Sequence, residues 1–271
     1  MTMDKQDCME LIQSFIDEIL DGDIQNFYHY DLDELSNDEK YGAYDPDNSR
    51  IANTIYVVLW GDNVPNLTFN NLGSGELYRG DTMNSFNTLM GKPNADGTSF
   101  LGVQKYTNDP TIINLAKEYH KKYHTLGNMM VLPNNRVDSA RTTLNLLRGG
   151  GPWFDYFDLF LADTKNIMEG TNISNIDSRL QELVKLNRDF FDCFQGTEGF
   201  KQLSKMFYLD KYVDVQSLKV RDVFTPHARH WPVRYSEEEY SEIVAAYIKK
   251  ATEIIDYRCG RMIEALEKAI A

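Results

Sequence analysis

The chain is poor in cysteine: Cys8, Cys193 and Cys259 lie far apart, and no CxxC pair occurs. That scarcity excludes a disulfide framework and a cysteine-based zinc site, and it predicts free thiols in a reducing, cytoplasmic setting. No stretch of about eighteen apolar residues runs uninterrupted, so no membrane span is expected. The first twenty residues carry acids where a secretory leader would carry bases, which predicts no leader. Internal repeats, heptad registers and low-complexity tracts are also missing. What remains is ordinary globular material, 42% hydrophobic and 25% charged over 271 residues, enough for a substantial core.

Basic residues are nearly absent from one region. Residues 1–47 hold fourteen Asp and Glu against two Lys, which accounts for all but one unit of the net charge of −13. The rest of the chain is close to neutral. Within it, residues 105–148 carry seven Lys and Arg against three acids, and residues 211–234 carry five against two, with His227 and His230. Two local basic stretches in a neutral body suit an anion, where the overall pI argues against one. The same imbalance also fits a solvated face paired with the acidic segment. The expected organisation is therefore an acidic N-terminal helix and arm over 1–47, and one mainly helical domain over 48–271.

Apolar spacing at Met9, Ile12, Phe15, Ile16, Ile19 and Leu20 predicts a first amphipathic helix. Beyond Gly22 the tyrosine-rich acidic stretch reads as an irregular arm ending in the turn 45–48. Residues 55–60 fit a buried strand or one end of a helix, and residues 77–79 a short strand. Asp109-Pro110 starts a helix running to about residue 124. A short strand over 129–132 follows, stopped by Pro133. Further helices are predicted over 137–147 and 153–165, and one or two over 177–207. Ser236 and Glu239 form a capping box ahead of a long amphipathic helix. The fold class is mostly α (α+β), with a small central antiparallel β element.

His120 and His124 are four residues apart, so a helix puts them on one face, able to grip a metal. Metalloproteases need a glutamate after the first histidine, and here Lys121 stands there, so peptidase chemistry is not expected. A metal would also need a third ligand such as His29, His227, His230 or an acid. The alternative sets His120 on a solvated face with Lys121 and Lys122, while His124 serves the helix end and Gly127 stops the helix. Arg79, Asp81 and Asn84 lie in a turn-rich stretch. Arg148 precedes three glycines, which let backbone N–H groups approach a phosphate, but the Lys and Ser/Thr of a P-loop do not follow. Asp155 and Asp158 share a helix face. These side chains fit either a ligand site or a satisfied polar network holding the β element to the helices. The stretch PHARHWPVRY (226–235) suits base stacking on Trp231, or a packed Trp in a proline-stiffened loop.

Several segments resemble known families. Gly127-Asn128 followed by an apolar run and Pro133 is similar to the GN-x-x-LLP segment of some HNH-type nuclease domains, with Asn145 as a later asparagine. The Asp-His-Ile element of those domains is missing here. LYRG (77–80) resembles the arginine strand of mono-ADP-ribosyltransferases, but Thr142-Thr143 and Glu237 to Glu239 fall on predicted helices and do not match the other two elements. The order LWGDNVPN (59–66), YRGDTMNSF (78–86), YHTLGNMMVLPN (123–134) and LLRGGGPWFDYFDLFL (146–161), with a long C-terminal helix, resembles a family of uncharacterised bacterial proteins. That resemblance implies common descent and a bacterial or phage origin, and it carries over no catalytic residue.

Three functions fit. The first is an enzyme or sensor for a phosphate-bearing anionic ligand, with His124 as acid–base candidate and Arg79, Asp81, Asn128, Arg148 and Asp155 as ligand-binding candidates. The second is a nucleic-acid binder or degenerate nuclease whose acidic arm covers basic surface. The third is a non-catalytic interaction module that docks a protein partner through that arm or the long terminal helix. No cofactor is indicated.

Overall fold

The computed structural model describes residues 3–70, 72, 77–83, 107–133, 157–176, 178–223 and 236–271. Its helices are α1 (Lys5–Ile19), α2 (Arg50–Trp60), α3 (Pro110–Tyr123), α4 (Phe157–Glu169), α5 (Ser178–Leu186), α6 (Arg188–Phe191), α7 (Gly196–Met206) and α8 (Glu237–Ile270). Strands β1 (Leu77–Asp81) and β2 (Met129–Pro133) pair antiparallel, Leu77 opposite Pro133 and Asp81 opposite Met129. The molecule is mainly helical with a small antiparallel sheet. No described helix is long and apolar enough to cross a membrane.

Local chemistry explains most of the element starts. Asp4 and Asp7 close a capping box at α1, and Ser236 and Glu239 do the same at α8. Asp109 accepts from Thr111 N–H at the head of α3, with Pro110 in the first turn, where its missing N–H costs nothing. Residues 55–60, ambiguous in the sequence, belong to α2. Ser49 caps that helix, and nine of its eleven residues are buried, so it shows no exposed face to give a period away. The predicted helix over 137–147 and the 226–235 loop fall outside the described residues.

Helix α8 is the central rod. It carries a buried stripe from Tyr240 through Val244, Ile248, Ile255 and Met262 to Leu266 and packs against α2, α3 and the turn at 126–128. The acidic arm is built from short 3-10 turns, Ile24–Tyr28, Leu32–Leu35 and Pro46–Asn48. Its Phe27, Leu32, Leu35 and Tyr41 are buried in the same core as α1 and α8. Phe15 of α1 stacks on Phe27 at 5.1 Å and meets Tyr41 edge-on at 5.0 Å. Cys8 and Cys259 are buried and Cys193 exposed, none of the three in a disulfide.

Candidate functional site

The described polar residues gather where β1 ends and β2 begins. Helix α3 finishes on His120, Lys121 and Lys122, with His124 as its C-cap. Thr125 turns the chain by donating from Oγ1 to the Lys122 carbonyl at 2.8 Å, and a 3-10 turn at Leu126–Asn128 leads into β2. Gly127 does not stop the helix, which has already ended. A Cβ there would collide with the carbonyl oxygen of Ile255 and sit 2.8 Å from Cys259 Cβ, so the glycine is required by close approach to α8.

Asn128 is fully buried. Its Oδ1 accepts from Thr82 Oγ1 and from Met83 N–H, both at 2.9 Å, and its Nδ2 donates to the carbonyls of Met83 and Tyr123, both at 3.0 Å. The Thr82 N–H donates to the Asn128 carbonyl at 2.7 Å. The side-chain amide thus ties the end of β1 to the end of α3 with its hydrogen-bonding capacity committed inside the protein. Asp81 accepts from the Tyr123 hydroxyl at 2.7 Å.

His124 is mostly buried, its side chain 11% exposed, with Nδ1 3.5 Å from Asp31 Oδ1 of the arm. That separation makes an ion pair rather than a hydrogen bond of good geometry, and Nδ1 has no hydrogen-bond partner among the described residues. Burial pushes the imidazole pKa down. The contact with Asp31 and the charges of Asp31, Asp33 and Asp81 outweigh it and hold the ring above its ordinary 6.5. The His120 ring meets it edge-on at 5.0 Å.

Lys122 is not on a solvated face as the sequence suggests. It is 18% exposed, paired with Asp256 of α8 at 2.6 Å, 4.6 Å from the Tyr28 ring centroid, and donates to the Tyr28 carbonyl at 3.3 Å. His29, a candidate third metal ligand, faces the same ammonium through Nδ1 at 3.3 Å. Among the described residues no three His, Cys, Asp or Glu side chains are placed to hold a metal.

Of the residues singled out in the sequence, Asp81, His124 and Asn128 therefore cluster at one end of the sheet. Arg79 stands in β1 opposite Val131. Arg148 and Asp155 lie outside the described residues. Asp158, the helix-face companion of Asp155, is buried and accepts from Val223 N–H at 2.9 Å. Three open clefts among the described residues lie elsewhere. One of about 520 Å³ is lined by Ile167, Gln181, Arg188 and Phe191, one of about 560 Å³ by Trp60, Lys201 and Lys205, and one of about 620 Å³ by Asp109, Glu237 and Glu242.

Sequence reasoning passed over Arg258. It is fully buried in α8 and donates to the carbonyls of Gly127, Met129 (3.0 Å) and Phe207 (3.2 Å), gripping the turn on both sides of Asn128. Burial pulls its pKa down to about 10, which leaves it charged at neutrality. The signal was its spacing, four residues from both Ile254 and Met262 within the apolar stripe.

No curated protein and no solved structure matches the chain. A family of unknown function (DUF6994) matches residues 30–262, and the chain belongs to that family.

Proposed function

We propose that the protein is an enzyme or sensor that binds a phosphate-bearing anionic ligand at the Asp81–Tyr123–His124 end of the sheet. The observation that carries this reading is His124, a mostly buried histidine whose carboxylate neighbours favour the protonated ring. An imidazolium in that position is a hydrogen-bond donor and general acid for a phosphate oxygen. Asp31, Asp33 and Asp81 oppose an anion through space, so Arg79 and Arg148 supply the remaining positive charge. Asn128 shapes the turn rather than meeting the ligand, because its amide is already engaged.

A thermal-shift screen with nucleotides, phosphosugars, short nucleic acids and divalent metals tests the reading. A shift from phosphate-bearing ligands that disappears in His124→Ala and Arg148→Ala supports it. A flat response to every phosphate-bearing ligand, or shifts unchanged in both variants, overturns it.

One observation favours a second reading, a nucleic-acid binder with its basic surface covered. The acidic arm lies directly against the basic last turn of α3. Deleting residues 1–47 would strip away Phe15, Phe27 and Tyr41 from the core, so charge neutralisation of the arm is the appropriate probe. Salt-sensitive nucleic-acid binding that strengthens when Asp31 and Asp33 become Asn supports this reading.

A further inference from the structure

The arm is fastened to α3 over a short stretch. The Leu32 N–H donates to the His124 carbonyl at 3.3 Å, Asp31 faces the His124 ring, and Lys122 reaches the Tyr28 carbonyl and His29. Buried Phe27 and Leu32 anchor the arm on either side of residues 28–31, each 1% exposed. Movement of residues 28–31, between those two anchors, is therefore local and leaves Leu32 in the core.

The charges around His124 make this contact depend on its protonation. Asp31 of the arm lies 3.5 Å from its Nδ1, and the charges of Asp33 in the arm and Asp81 in β1 act on it as well. His120 and Tyr123 of its own helix contribute ring contacts. The nearby Lys122 is turned away to Asp256 of α8 and to Tyr28. With the imidazole protonated, Asp31 has a cation opposite it in a site of low exposure, where charge pairs are weakly screened. With the imidazole neutral, Asp31 loses the cation opposite it and is left beside an uncharged ring.

We propose that His124 and Asp31 form a pH-dependent clasp that fastens residues 28–31 of the arm, with the Leu32 N–H, to α3 when the imidazole is protonated and releases them when it is neutral, the Leu32 side chain staying in the core. The clasp stands on this geometry alone and does not depend on the ligand reading. Release uncovers His124, so the protonation state of one ring sets both its charge and its access to solvent.

The test uses the full chain. Histidine ring resonances are followed by NMR between about pH 5 and 8, and hydrogen exchange at the Leu32 amide is measured over the same interval and normalised for intrinsic exchange. The expected result is a loss of Leu32 protection that follows the His124 titration, and a downward shift of that titration in Asp31→Asn. Asp31→Glu, which keeps the charge, retains the coupling. Normalised protection that stays flat while His124 titrates overturns the clasp, and the wild-type protein alone can give that result should a variant fail to fold. A His124 titration identical in wild type and folded Asp31→Asn overturns it as well.

Discussion

Asn128 closes on the backbone of Met83 from both sides, accepting from its N–H at 2.9 Å and donating to its carbonyl at 3.0 Å. The two residues are 45 positions apart, and the pair fixes where β1 ends against the turn before β2. Asn128→Asp keeps the shape but removes the NH2 group that serves two carbonyls, setting a carboxylate oxygen against the Met83 and Tyr123 oxygens in a fully buried position. The expected loss is about 3 kcal/mol or more, since buried groups left without partners cost about 1–3 kcal/mol each. Urea unfolding measures it. A change under about 0.5 kcal/mol, the range of surface substitutions, would show that the amide is not structural.

Two glycines, one packed against α8 and one within it, separate close approach from mere helix weakening. Gly127→Ala drives a methyl into the Ile255 carbonyl and Cys259, where only backbone movement makes room. The expected cost is about 2–3 kcal/mol, as for overpacking generally. Gly260 is inside α8, and a Cβ there meets only the Tyr28 ring edge at 3.9 Å. Gly260→Ala should therefore stabilise by about 0.5–1 kcal/mol, the helix propensity difference. Opposite signs in thermal melts are the check.

Those long-range contacts mark the border of what the sequence reveals. The caps at Asp109, Ser236 and Glu239 depend on neighbours within a turn, and local chemistry was enough to read them. The strand expected over 129–132 runs on to include Pro133. Residues 55–60 were ambiguous because α2 is buried nearly all round and shows no period. Gly127 was read as a helix stop because the surface that needs it, Ile255 and Cys259 of α8, is more than 120 residues away. His124 was found by its spacing from His120, Asp81 by its turn-rich stretch and Asn128 by the Gly-Asn pair, but Asp31 belonged to a stretch read only as an acidic arm. Pairing a residue with a partner almost a hundred positions off needs the fold itself.

Arg258 gives a test of charge against hydrogen bonding in the core. Arg258→Met preserves the bulk of the stem while leaving the Gly127, Met129 and Phe207 carbonyls without their donor. Removing a buried charge offsets part of that cost, so a net loss of about 2–3 kcal/mol is expected. Arg258→Lys restores charge but not the fork geometry that spans three carbonyls, and it should be nearly as damaging. Should lysine restore full stability in denaturant, charge rather than the planar fork would be what the turn requires.

Stability should also depend on pH through His124. Its folded pKa is held above the ordinary 6.5 by Asp31, with Asp33 and Asp81, against the opposing effect of burial. The folded state then binds the proton more tightly than the unfolded chain, so the contribution is complete below about 6.5, the unfolded value, and is lost as pH rises through the raised folded value. Wild type should accordingly lose stability relative to His124→Gln across that window, and the two curves should run parallel at higher pH. Asp31→Asn removes the principal carboxylate and should flatten the wild-type slope while retaining the histidine. Denaturation midpoints for the three proteins from about pH 5 to 8 decide it. A wild-type advantage over His124→Gln that grew with pH would give the opposite sign and place the neutral ring, rather than the imidazolium, in the folded protein.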